Sequence, residues 1–132
     1  MEKKSIVLAA LLCTAVASAT LTHHALALDT ISNEQLMSRI KESSAPLILD
    51  VRTPGEFARG RVPGAINIPH TDLASRLDEL TQHKGQEVAV YCEAGVRAAV
   101  AENILEKAGF EQVLHLEGDM RAWRAKRLPQ ER

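Results

Sequence analysis

Short apolar runs of strand type recur along the chain, each followed by a segment of helical periodicity, and this alternation restricts the fold more than any other feature. Residues 47–51, 65–68, 87–91 and 112–116 are rich in Val, Ile and Leu and are bounded by Gly, Pro or polar turn formers. Between them lie stretches whose apolar residues recur every three or four positions. Such a pattern predicts an α/β domain with a mainly parallel central sheet flanked by helices on both faces, because parallel strands need crossovers and the crossovers bury the sheet.

Ser32 followed by Gln35 has the form of a capping box, and Leu36, Met37 and Ile40 behind it predict a first short helix. Leu73, Leu77 and Leu80 define one face of a second helix entered at Thr71 or Asp72. A third carries Val100, Ala101, Ile104, Leu105 and Ala108 and stops at Gly109, and a last helix holds Trp123. Thr53-Pro54-Gly55 and residues 60–64 read as loops. The 132 residues suffice for one domain. Aromatics are only 3% of the chain, so Phe57, Tyr91, Phe110 and Trp123 are expected to serve as packing anchors.

The first 27 residues read as a targeting segment. Lys3 and Lys4 precede an apolar run over residues 6–21, followed by the small-residue steps Ala17-Ser18-Ala19 and Ala25-Leu26-Ala27, the layout of a secretory signal peptide. Cleavage after Ala27 is favoured over Ala19, leaving a domain over 28–132 in the periplasm. The alternative, an uncleaved membrane anchor, falls short of the roughly 20 apolar residues a span requires, and no stable membrane association is expected after cleavage. Loss of this segment removes Cys13 and shifts the net charge from -1 to about -2. Neither value favours nucleic acid. Cys92 remains as the sole cysteine in a compartment where paired thiols oxidise, and with scattered histidines it makes no zinc site. No cofactor or metal is expected. His70, His83 and His115 read as ordinary surface or strand residues, since none has a partner at ligand spacing.

Cys92 closes the apolar strand 87–91 and opens a turn ahead of a helix. Backbone amides of Glu93, Ala94, Gly95, Val96 and Arg97 curling around its sulfur, with the positive end of the helix dipole, would favour thiolate over thiol. The competing reading is an inert core cysteine. Arg97 in a first helical turn opposes the dipole, an unfavourable place unless an anion lies nearby.

With these residues assembled, the chain resembles a single-domain rhodanese, a sulfurtransferase of the thiosulfate type. Asp50-Val51-Arg52, Glu56-Phe57, Gly60-Arg61-Val62, Gly64-Ala65 and Asn67-Ile68-Pro69 follow that family's pattern in order and spacing, and residues 92–97 match its C-x-x-G-x-R active loop. The resemblance implies that Cys92 takes sulfur from a donor as a persulfide and passes it to cyanide or a thiol, with loop residues 93–97 binding the anion and Arg97 orienting it. It also implies that Asp50 accepts hydrogen bonds from the active loop; a carboxylate capping the turn at Thr53 is the structural alternative. Arg52 and Glu56 are expected to form an ion pair that fixes the loop, and Arg59 and Arg61 to help a donor enter. Arg97 lies five positions after Cys92, one fewer than the C-x5-R spacing of cysteine phosphatases, which argues against phosphate chemistry.

Two residues depart from the family pattern. Asp119 stands where a second glycine often follows Gly118, which predicts a local change of turn geometry, and Glu93 places an acid beside the nucleophile, disfavouring an anionic donor. Partners are expected to be a small-molecule sulfur donor and acceptor, or an acceptor protein, with the domain itself a monomer. Alternatives from other classes are a non-catalytic module that senses redox state or docks a partner through Cys92, and a sulfur carrier.

Overall fold

Five parallel strands form one sheet in the order β1-β5-β4-β2-β3. They are β1 (Asp29–Ile31), β2 (Leu47–Asp50), β3 (Ile66–Asn67), β4 (Glu87–Tyr91) and β5 (Gln112–Leu116), joined by helices α1 (Asn33–Lys41), α2 (Pro54–Arg59), α3 (Val96–Lys107) and α4 (Asp119–Ala125). The computed structural model describes residues 29–132; the expected signal peptide over 1–27 and Cys13 lie outside the described residues.

Alternation along the strands divides the core in two. Leu49, Val51, Val88, Val90 and Val113 pack on one face with Ala98, Ala101 and Leu105 of α3 and with Leu73 and Leu80. Ile48, Ala89, Tyr91 and Leu116 pack on the other with Leu36 of α1 and Met120 and Trp123 of α4. The central strand β4 is buried on both sides, which is why its sequence is apolar without alternation. Of the four aromatics, Tyr91, Phe110 and Trp123 are buried anchors and Phe57 is only partly covered.

The Ser32–Gln35 capping box forms as the sequence predicts, with both reciprocal hydrogen bonds. Three expectations need correction. Thr53 begins a helix rather than a loop: its hydroxyl accepts from the Glu56 amide while the Glu56 carboxylate accepts from the Thr53 amide, and Pro54 occupies the first helical position. Residues 73–83 form two 3-10 segments, Leu73–Ser75 and Leu77–His83, in place of one α-helix. There Ser75 and Thr81 donate to the backbone carbonyls of Asp72 and Leu77, competing with regular helical pairing. Val100, counted in the apolar stripe of α3, is instead exposed, and Ala98 takes its place in the core.

Parallel connections leave the carboxyl ends of the neighbouring strands β2 and β4 on one rim, where Arg52 and Cys92 follow. Clefts of open α/β sheets lie at such rims.

Candidate active site

Cys92 is the first residue beyond β4, and its peptide is held on both sides. Its amide donates to Asp119 Oδ1 at 2.9 Å and its carbonyl accepts from the Met120 amide at 3.0 Å. The Glu93 carbonyl accepts from the Arg121 amide at 3.1 Å, so the first turn of α4 carries the start of the loop. The Gly95 amide donates to Cys92 Sγ at 3.0 Å and is the one amide of residues 93–97 in hydrogen-bonding position to it. Gly95 lies at φ 109°, where a Cβ would come within 3.2 Å of Asp119 Oδ2. Ala94 and Val96 face solvent, whereas Cys92 is 1% exposed.

Arg97 and Glu56 face each other across two elements. Arg97 Nη1 and Nη2 donate to Glu56 Oε2 and Oε1 at 2.8 and 2.9 Å, a bidentate pair joining the first turns of α3 and α2. The Arg97 guanidinium, helped by Thr53, holds the Glu56 carboxyl well below the usual carboxylate range. Glu56 in turn raises Arg97, and the nearby Cys92 sulfur adds to that rise.

The expected Arg52–Glu56 ion pair does not form, because Arg52 has a closer carboxylate. Its Nη2 lies 2.6 Å from Asp50 Oδ2 and donates also to the Gly60 carbonyl at 2.7 Å, and its own amide donates to Asp50 Oδ1. Asp50 thus binds neither the active loop nor the Thr53 turn, correcting both readings of it. The pair is almost wholly buried and lies against Tyr91, whose ring centroid is 5.6 Å from the Arg52 guanidinium carbon. Burial works against the Arg52 charge, yet Asp50 keeps it raised.

Glu93 is met by two cations, Arg124, which hydrogen-bonds it directly, and Arg52, whose Nη1 lies 3.8 Å away. These side chains with Glu56, Arg59 and Gln130 line an open cleft of about 390 Å³ beside the loop, which Cys92 itself does not line. Of the two arginines expected to guide a donor, Arg59 borders this cleft, while Arg61 stacks on Phe57 at 4.4 Å and pairs with Glu131.

His115 differs most from its sequence reading. Its Nδ1 lies 2.5 Å from Glu102 Oε1 and its Nε2 lies 3.0 Å from Asp119 Oδ2. Those two carboxylates, Asp119 foremost, outweigh partial burial and raise its pKa to about 10. Glu102 and Asp119 are 1% and 2% exposed. The only sequence signal for this group was Asp119 itself, standing in place of a glycine; Glu102 and His115 lie 13 positions apart and meet only through the α3–β5 crossover. Gly118 and Asp119 are both left-handed, at φ 70° and 56°.

A family model, the rhodanese-like domain, matches residues 32–126. A sulfurtransferase of Allochromatium vinosum is 34% identical over 75% of this chain and 91% of its own length. The thiosulfate sulfurtransferase PspE of Escherichia coli is 37% identical over 49% of this chain and 62% of its own. Among solved structures, a rhodanese-related protein from Thermoplasma volcanium superposes with a TM-score of 0.68 at 30% identity, covering 78% of this chain and 97% of that one. Sheet order, the loop after β4 and these matches agree, and the chain belongs to the rhodanese-like domain family.

Proposed function

We propose that this domain is a sulfurtransferase that carries a sulfane sulfur on Cys92, taking it from a donor such as thiosulfate. The Cys92 thiolate attacks the outer sulfur of thiosulfate, an S–S bond forms to Sγ, the bond to the sulfonate sulfur breaks, and its electron pair leaves with sulfite. The persulfide then gives its outer sulfur to a nucleophile; with cyanide the products are thiocyanate and the original thiolate. The Gly95 amide at 3.0 Å from Sγ is the observation that carries this reading, since a fixed donor there stabilises negative charge on sulfur at both stages. Arg97 orients the anionic end of the donor, sharing its charge with Glu56. The names of the Allochromatium and Escherichia relatives support the same chemistry. The near-complete burial of Cys92 favours small donors over bulky ones.

Residues 1–27 direct the domain to the periplasm in this reading and are removed after Ala27, which N-terminal sequencing of the exported protein tests. Function is tested by incubating the protein with thiosulfate and weighing it intact. A gain of one sulfur atom that cyanide removes, lost in Cys92→Ser, is the expected result. Sulfite release by Cys92→Ser overturns it.

A further inference from the structure

Three elements send charged side chains to one point beneath the active loop: Glu102 from α3, His115 from β5 and Asp119 from α4. This arrangement is locally unfavourable. Asp119 occupies a left-handed conformation that glycine enters freely, and it buries a carboxylate. Glu102 buries another, and its Oε2 has no hydrogen-bond partner among the described residues. Groups held at such cost elsewhere in proteins mark functional positions.

Their contacts all lead toward Cys92. Asp119 accepts the Cys92 amide through Oδ1 and contacts His115 through Oδ2, while Glu102 holds the other ring nitrogen. A carboxyl group on each nitrogen favours a ring that donates from both, the imidazolium form. Gly95, the donor to Sγ, packs onto the same pair: a Cβ there would be 3.2 Å from Asp119 Oδ2 and 3.7 Å from His115 Cε1.

We propose that Asp119, held in place by His115 and Glu102, is a positioning residue for sulfur transfer, fixing the Cys92 peptide and the Gly95 amide around Sγ before a donor arrives. The proposal rests on reading Cys92 as the sulfur-carrying nucleophile. The raised pKa of His115, about 10, is consistent with the imidazolium persisting at neutral pH.

Asp119→Gly tests it cleanly, because glycine suits φ 56° and only the carboxylate is lost. Thiosulfate is mixed with each protein and persulfide formation is followed by intact mass in a single turnover. Asp119→Gly is expected to stay folded at the assay temperature with a lowered thermal midpoint, since the Cys92 amide and His115 each lose a partner, and to keep its half-saturating thiosulfate concentration while the saturated loading rate falls roughly tenfold or more. Asp119→Asn keeps an oxygen for the Cys92 amide but turns an NH2 toward His115 Nε2, and recovers part of that rate. By NMR, exchange of the Cys92 amide proton speeds roughly tenfold in Asp119→Gly and stays slow in Asp119→Asn. Loading by Asp119→Gly at the unmodified rate, or an unchanged Cys92 amide, overturns the proposal. Failure of the unmodified protein to load overturns the sulfur-transfer reading instead, and amide exchange then decides the positioning role alone.

Discussion

Arg97 gives both ends of its guanidinium fork to Glu56, at 2.8 and 2.9 Å. This cation, close enough to the Cys92 sulfur for each to affect the other, is therefore already paired, and an anionic donor must share it. Glu56→Gln keeps an oxygen for the Thr53 amide but removes the competing charge, so the half-saturating thiosulfate concentration should fall severalfold in steady-state assays. Arg97→Ala should raise it and Arg97→Lys restore only part, since an ammonium lacks the planar fork. A Glu56→Gln variant with weakened donor affinity would mean that the pair, rather than Arg97 alone, forms the donor site.

His115 makes stability depend on alkaline pH. Its folded pKa, raised to about 10, lies above its ordinary value of 6.5. The stabilisation from its two carboxylates is fully present below 6.5 and is lost as pH rises through about 10. Urea unfolding should show a decline of about 2 kcal/mol between pH 7 and 10, moderated because 18% of the side chain meets solvent. His115→Asn should flatten that limb. Glu56 acts at the opposite end: its lowered pKa contributes stability above its ordinary value of 4.5 that disappears as pH falls toward the folded value.

Asp50 and Arg52 form a buried pair whose halves are not independently tolerable, at 0% and 2% exposure. Asp50→Ala leaves a buried guanidinium with the Gly60 carbonyl and, at 3.8 Å, the partly exposed Glu93 carboxylate as its remaining polar partners, and should lower unfolding free energy by about 3 kcal/mol. Urea denaturation checks this. The loss should appear with little change in the Cys92 environment, because neither residue hydrogen-bonds the loop amides.

The sheet was legible in the sequence where short Val- and Leu-rich runs are bounded by turn formers: residues 87–91 and 112–116 coincide with β4 and β5, since their length and flanks, rather than their period, mark them as strands. The edge strand β1 spans three residues, too few to show a period. Helix α2 was hidden because Pro54-Gly55 signals a turn more strongly than the Thr53–Glu56 box signals a helix. At the site, Cys92, Gly95 and Arg97 were placed by their spacing in one loop. Which acid each arginine chooses was not legible: Glu56 follows Arg52 by one helical turn, yet α2 directs it to Arg97 on another element. His115 likewise acquires its partners only when β5 lies beside β4 and carries α4 under the loop.

Gly95 links the sulfur to Asp119: its amide donates to Sγ, and a Cβ on its α-carbon would come within 3.2 Å of Asp119 Oδ2. An alanine there meets two obstacles, a φ of 109° that side chains rarely adopt and a Cβ 3.2 Å from a carboxylate oxygen. Relief of either moves the amide away from the sulfur. Gly95→Ala should therefore reduce thiosulfate loading by at least about tenfold, while costing only about 1–2 kcal/mol in urea unfolding, because the surrounding core is untouched. Removing the opposing carboxylate in Gly95→Ala/Asp119→Gly should relieve the contact but not the backbone strain, leaving the two effects on stability less than additive. Strict additivity would show that Gly95 and Asp119 act on Cys92 separately.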